Sequence, residues 1–305
     1  MAQGLAEAAS SAPQDFAAFE HEAWTRRASG YCAWFESIVV QAIEPLLDAA
    51  GVRAGVTLAD LACGPGFVAA AAARRGAKVV GVDFSASMLA LARERFPWLC
   101  FEEGDALDLP FPDHSFDAVT INFGILHFAE PHRALREVFR VLRPGGSIAF
   151  TDWARPGPEN AAYAIILAAI DAHADPVPLP PGPPLFQFAS AGACRRALAA
   201  AGFDAAGADT RFLPQVWRLD CADDLLQAFA EGSARLGARI AAQSPARLDA
   251  IRAAIREGCR PYLQGSKVAL PTGVVLTSAR KPRVGQTDHG SDVLLSATER
   301  AGERR

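Results

Sequence analysis

Between residues 56 and 153 the chain switches repeatedly between two hydrophobic periods, and this alternation constrains the fold more than any other feature. Residues 56–62, 79–82, 99–102, 118–122 and 147–151 are short apolar runs of strand length. Between them, residues 67–75 and the stretches opening at Ser85 and Pro131 carry apolar side chains at helical spacing. Gly76 suits the left-handed closing position of the first helix, and Arg74 and Arg75 complement its negative end. Ser85 can cap the second helix, which presents Met88, Leu91, Ala92 and Phe96 and stops at Pro97. Pro131 can open the third, which carries Leu135, Val138, Phe139 and Leu142 until Arg143-Pro144-Gly145-Gly146 breaks it. Strands separated by single helices imply right-handed crossovers, hence an α/β sandwich around a mostly parallel sheet.

The flanks are less regular. Residues 1–15 are Ala/Ser/Gln-rich and read as frayed. Residues 16–50 turn helical, with Pro45 as an interruption. Past the core, residues 176–184 are Pro-dense and read as an extended connection. Residues 190–201 read as a helix and 211–219 as one long strand with an edge or bulge at Pro214. Two helices fit 223–262, a last strand fits 274–277, and the polar, Gly-rich tail from 283 reads as disordered.

Bulk properties exclude several classes. A net charge of -4 with no dense Lys/Arg block argues against a nucleic-acid partner. The longest apolar stretch, residues 161–170, is too short to cross a bilayer, so no membrane insertion is expected. The six cysteines form no C-x-x-C pair, so no metal site is expected. With no recognisable export signal, a cytoplasmic protein with reduced thiols is expected.

Four segments carry chemistry. In Asp60-Leu61-Ala62-Cys63-Gly64-Pro65-Gly66 a strand ends in a Gly-rich turn that opens a helix. Gly64 and Gly66 let a ligand approach the backbone, and free amides at the helix start can bind it. This turn also satisfies G-x-G-x-x-A through Ala69, as a dinucleotide site would. Asp83 closes the second strand, where a carboxylate can accept hydrogen bonds from a ribose diol; the plainer reading is an acid favoured by the following helix. Asp105 and Ala106 follow the third strand and can read an adenine edge; the plainer reading is a turn aspartate. The fourth segment joins Phe116-Asp117-Ala118-Val119 through Asn122 to the Arg143-Pro144-Gly145-Gly146 turn.

Taken together, D-L-A-C-G-P-G, V-G-V-D-F-S, G-D-A-x-x-L-P-F, F-D-A-V and L-R-E-V-x-R-V-L-R-P-G-G resemble the class I S-adenosylmethionine-dependent methyltransferases of small molecules, close to the ubiquinone/menaquinone group. The resemblance covers roughly a third of the chain, about residues 56 to 153. It implies a Rossmann-like three-layer sandwich with a seven-stranded sheet whose last strand is antiparallel, plus N-terminal and inserted lid helices. It divides the chain into a methyltransferase domain at 16–282, with a helical cap at 16–50, a cofactor-binding core at 56–153 and a substrate-side half at 154–282 whose helical insert is 223–262. It also implies roles for the matching residues. Gly64 and Gly66, with Cys63 between strand and turn, would line the methionine part of S-adenosyl-L-methionine, and Asp60 would favour its ammonium. Asp83 would hold the ribose, Phe84 and Met88 would flank adenine, Asp105 and Ala106 would read its edge, and Asn122 would close the pocket. Tyr31, in Ala28-Ser29-Gly30-Tyr31, matches an aromatic that closes over the cofactor. Ala62 departs from the usual glycine, with little effect expected. Asp60 would repel a pyrophosphate, which argues against the dinucleotide reading.

Methyl transfer is an in-line displacement, so the protein chiefly positions a nucleophile. His127, just past the fourth strand, is the candidate general base, with Asp152 second; a packed histidine is the plainer alternative. Trp153, Phe186, Phe188, Trp217 and Tyr262 are candidates to line a pocket for a small apolar or aromatic acceptor. The other functional class left open is a cofactor-binding protein of the same fold that transfers no methyl. Oligomeric state is open, a homodimer among the options.

Overall fold

The computed structural model describes residues 2–283. Helix α1 (Ala2–Val39) runs through a 3-10 turn (Val40–Ala42) into α2 (Ile43–Ala49). The break falls just before Pro45, whose ring would clash with the carbonyl four residues back in a continuous helix. Residues 2–15, expected to be frayed, fall within the bounds of α1. The expected disordered tail falls, but for residue 283, outside the described residues.

Next come β1 (Thr57–Leu61), α3 (Phe67–Arg74), β2 (Lys78–Asp83), α4 (Ala86–Arg95), β3 (Cys100–Glu103), β4 (Phe116–Asn122), α5 (Pro131–Val141) and β5 (Leu142–Trp153). Their ends follow local chemistry. The Ser85 side chain accepts from the Met88 amide at the start of α4, and Pro131 occupies the first turn of α5. Gly76 closes α3 at φ +82°. The Arg143-Pro144-Gly145-Gly146 segment ends the helix as expected but is absorbed into β5, whose pairing with β4 shifts register between Phe116 and Ala118.

The remainder comprises α6 (Ala161–His173), α7 (Ala191–Ala200), β6 (Asp209–Leu213), β7 (Val216–Leu219), α8 (Asp223–Gly232), α9 (Arg235–Ala241), α10 (Pro245–Cys259), β8 (Leu263–Gln264), β9 (Lys267–Pro271) and β10 (Val274–Arg280). Seven strands form one sheet in the order β3-β2-β1-β4-β5-β10-β6. β1 to β5 are parallel, while β10 runs antiparallel to both neighbours, Val274 pairing with Trp153 on one side and Leu213 on the other. This is the Rossmann-like sheet expected from the resemblance.

Three expectations need correction. Residues 211–219 are not one strand: Pro214-Gln215 breaks them, so β6 joins the main sheet while β7 pairs with β9 in a separate three-stranded sheet. Proline lacks the amide needed to continue a ladder. The insert 223–262 holds three helices rather than two, because Gly232-Ser233 and Gln243-Ser244 interrupt the run. Nor is it a detachable lid, since Leu225, Phe229, Ile251, Ile255 and Cys259 are fully buried in a core shared with Phe35, Ile38 and Ile166.

The cap and the insert meet through two glycines. A β-carbon on Gly30 of α1 would lie 2.5 Å from the Glu231 carbonyl oxygen, and one on Gly232 would lie 2.7 Å from the Phe35 ring. Only the absence of side chains lets α1 and α8 approach this closely. That contact brings both elements over the carboxyl edge of the sheet.

Candidate active site

The sheet order reverses between β1 and β4, since successive strands lie on opposite sides of that junction. Crevices at such a switch point, outside the strands' carboxyl ends, are where open α/β sheets bind ligands. A cavity of about 630 Å³ lies there, walled by Asp60, Ala62, Cys63, Gly64, Asp83, Phe84, Met88, Asn122 and His127 from the sheet edge and by Trp24, Tyr31 and Val39 from α1.

Two carboxylates define its polarity. Asp60 ends β1 and is 1 % exposed. Its Oδ1 accepts from the Thr120 hydroxyl at 2.9 Å, while its buried Oδ2 makes no bond of good geometry. Burial, and secondarily the nearby Asp83 charge, lift its pKa to about 7 despite the Thr120 bond and the nearby Ala69 amide. Asp83 ends β2 and accepts from the Gly64 amide at 2.8 Å and the Ser85 amide at 2.9 Å. Burial lifts Asp83 to about 6, partly offset by those amides and by His127. The Cys63 thiol is pushed up by burial and by the two carboxylates, so it is an inert wall group rather than a nucleophile.

The backbone around the cavity is strained at two non-glycine positions, Ala62 at φ +50° and Phe123 at φ +55°. Left-handed backbone is costly for a bulky residue, of order 1–3 kcal/mol. Phe123 is held there by the Thr151 hydroxyl, which accepts its amide at 2.9 Å and donates to Asn122 Oδ1 at 2.7 Å. Its ring stacks on Trp153 with centroids 4.1 Å apart. Ala62 therefore matters more than a single added methyl suggests, because its backbone conformation is one that glycine adopts without strain.

Beyond Phe123 a second chamber of about 450 Å³ shares Trp24, Tyr31, Phe123 and His127 with the first. Its other walls are Phe35, Leu126, Trp153, Tyr163, Leu185 and the 232–236 segment entering α9. Burial pushes the Tyr31 and Tyr163 hydroxyls up, so both stay protonated donors.

His127, in the 3-10 turn Ile125–His127, lies at the junction. Its Nδ1 is 2.9 Å from Glu20 Oε2, the oxygen that also accepts from Trp24 Nε1 at 3.0 Å. Glu20 Oε1 accepts from Arg235 Nε at 3.2 Å. Burial alone would raise Glu20, but His127 and Arg235 outweigh it and hold it below the usual range. Arg235 also donates to the Leu126 and Pro183 carbonyls, tying α9 to the β4 turn.

The structure thus brings Tyr31, Asp60, Cys63, Gly64, Asp83, Phe84, Met88, Asn122 and His127 into one cavity. Three expected residues lie elsewhere. Gly66 faces inward: a β-carbon there would lie 2.7 Å from the Phe101 ring, so it serves close packing and a φ of +83°. Ala106 is buried beside Leu109. Asp105 is an exposed turn residue whose Oδ1 accepts from the Leu107 amide, on a neighbouring cleft that shares Phe84 and His127. Asp152 accepts from the Phe188 and Trp153 amides and lines neither chamber. Of the five aromatics expected around an acceptor, only Trp153 lines the chamber; Trp217 and Phe188 are core, and Phe186 packs on Tyr163. Glu20, Phe123 and Arg235 escaped the sequence reading. Glu20 alone left a trace there, four residues before Trp24 on one helix face.

Residues 59–150 match the family model described as a methyltransferase domain. The chain is 42% identical over 120 residues to the demethylmenaquinone methyltransferase of Renibacterium salmoninarum, covering 39% of this chain and 51% of that relative. It is 42% identical over 108 residues to the 2-phytyl-1,4-naphthoquinone methyltransferase of Thermosynechococcus vestitus, covering 33% and 48%. The chain therefore spans about half the length of the curated relatives it matches. The YcgJ protein of Bacillus subtilis has the same fold, with a TM-score of 0.53 at 21% identity over 80% of this chain and 99% of that one. In family match and motif string residues 59–150 are thus similar to a methyltransferase domain, and the sheet around them has the Rossmann-like order.

Proposed function

We propose that the protein is an S-adenosylmethionine-dependent methyltransferase acting on a small aromatic acceptor of the quinone or phenol class. The observation that carries this reading is the pair of buried carboxylates, Asp60 and Asp83, at the tips of β1 and β2 around one cavity. A buried carboxylate is costly unless a cation or hydrogen-bond donors meet it. The α-ammonium of S-adenosylmethionine supplies that cation, and its ribose diol can donate to the lone pairs Asp83 has left after two amide bonds. Gly64 leaves the approach open, its nearest outside atom being Met88 Sδ at 4.0 Å. Phe84 and Met88 would flank the adenine, with Asn122 and Tyr31 closing the opposite end. Gly66 would support the turn from behind, and Asp105 with Ala106 would meet the adenine edge across the adjoining cleft.

The cofactor supplies an electrophilic methyl on sulfur; the chain's residues do the rest. The aromatic walls of the second chamber hold a flat acceptor and exclude water. Tyr163 and Tyr31 can donate to its ring oxygens. His127, facing both chambers, can take a proton from the acceptor. The relatives named for naphthoquinone and menaquinone methylation support an acceptor of this shape. Among the described residues no helix is long and apolar enough to cross a membrane, and on this reading the enzyme works in the cytoplasm with its cysteines as thiols.

Titration calorimetry with S-adenosylmethionine tests the cofactor site. Wild type should bind in the micromolar range and Asp83→Ala roughly 10- to 100-fold more weakly, the loss expected for hydrogen bonds to a charged group. Absence of binding at millimolar ligand would overturn the reading. Radiolabelled methyl should then appear on at least one member of a panel of hydroquinones and naphthols.

A further inference from the structure

Resting on that reading, we propose that Glu20 of the cap helix is a positioning residue that makes His127 the general base for a hydroxyl-bearing acceptor, and that Arg235 of the insert completes the arrangement. A carboxylate can only accept, so the imidazole nitrogen 2.9 Å from Glu20 Oε2 carries the proton. That leaves the lone pair on Nε2, which has no hydrogen-bond partner among the described residues. The ring borders both the cofactor cavity and the aromatic chamber. Trp24 packs its edge against the imidazole with centroids 4.8 Å apart and shares the same carboxylate oxygen, so the ring cannot turn freely.

The step balances without a further reagent. As the acceptor oxygen's lone pair bonds to the methyl carbon, the carbon–sulfur pair stays on sulfur, and the hydroxyl proton moves to Nε2. The imidazolium then sits against ionised Glu20, which is 1 % exposed and therefore acts in a low dielectric. Arg235 keeps Glu20 ionised through the cycle at 3.2 Å. The charged groups facing His127 are Glu20 from α1, Arg235 behind it from α9, and Asp83 from β2. Because Glu20, His127 and Arg235 come from the cap, the β4 turn and the insert, the base is assembled only by the packing of all three elements.

The test is a double-mutant cycle on the full chain with a phenol or hydroquinone acceptor. Glu20→Gln keeps the shape but presents an amide that no longer dictates the tautomer. It should lower kcat about 10- to 100-fold, move the acidic limb of the pH–rate profile, and leave S-adenosylmethionine affinity within about threefold. His127→Ala should lower kcat at least as much, and adding Glu20→Gln to it should cost no more than about twofold, as expected of groups that act as a unit. Glu20→Asp should recover part of the Glu20→Gln loss. A full Glu20→Gln penalty in the His127→Ala background, or wild-type kcat in Glu20→Gln, would overturn the proposal, as would cofactor binding with transfer only to carbon or amine centres. Failure to bind the cofactor at all would instead sink the function on which it rests.

Discussion

Asp60 should be a residue that binding needs and folding resents. Its carboxyl is buried, with one oxygen bonded to Thr120 and only the Ala69 amide near enough to offset its charge further. In an unfolded chain it titrates near its ordinary 3.8; in the free folded protein, near 7. An acid whose folded pKa is raised binds its proton more tightly in the native state. Between these values the native state holds more protons than the unfolded one, so stability falls as pH rises through that window. Above pH 7 the full penalty applies, on the order of 4 kcal/mol at 1.36 kcal/mol per pH unit. Asp60→Asn removes the charge and keeps the Thr120 bond. Urea denaturation at pH 5 and pH 8 should therefore show the variant gaining on wild type as pH rises, by up to about 2.5 kcal/mol, because at pH 5 part of the penalty is already present; any loss from the new amide is the same at both pH values. At pH 8, saturating S-adenosylmethionine should stabilise wild type far more than the variant, because the ammonium removes the penalty only where the carboxylate is present. A stability difference between variant and wild type that does not change from pH 5 to 8, or that shifts in wild type's favour, would refute the argument.

Three further substitutions probe the scaffold and the acceptor chamber. Gly30→Ala places a methyl 2.5 Å from the Glu231 carbonyl and should cost about 1–3 kcal/mol of overpacking, read as a lower urea midpoint with weaker cofactor binding as the cap lifts. Ala62→Gly should raise stability by roughly 1 kcal/mol by relieving a left-handed alanine, offset in part by the greater freedom of glycine in the unfolded chain; a lower Tm would show that the methyl's packing outweighs the strain. Tyr163→Phe should raise the KM for a hydroxylated or keto acceptor several-fold while leaving S-adenosylmethionine affinity unchanged, since Tyr163 lines only the aromatic chamber; an unchanged KM would remove it from acceptor recognition.

The alternating core was legible because its signals are local. Ser85 caps α4 and Pro131 opens α5 through contacts made within four residues, which any chain carrying those residues can make. Parallel strands then have their carboxyl ends on one edge, so acids at the tips of β1 and β2 meet in any fold of this topology. Asp60 and Asp83 could be paired on those grounds alone. Gly66, Asp105 and Ala106 were less legible: a motif position shows that a residue lies near a turn, but not which way it faces. Only the packed neighbours decided that Gly66 meets Phe101 and that Asp105 closes its own turn.

What tertiary structure alone decided is the upper half of the site. His127 and Glu20 lie 107 residues apart in sequence, and Arg235 and Glu20 lie 215 apart. A single non-local pair leaves no periodicity to read, whereas a helix face or a strand repeats its signal every few residues. The same holds for residues 211–219, whose apolar content announced strand but not that two halves belong to different sheets. Sequence thus determined the sheet and the ligand-facing edge through short-range chemistry. The identity of the groups that close over that edge depended on helices brought together by two glycines, a long-range fit that exists only once the chain has packed.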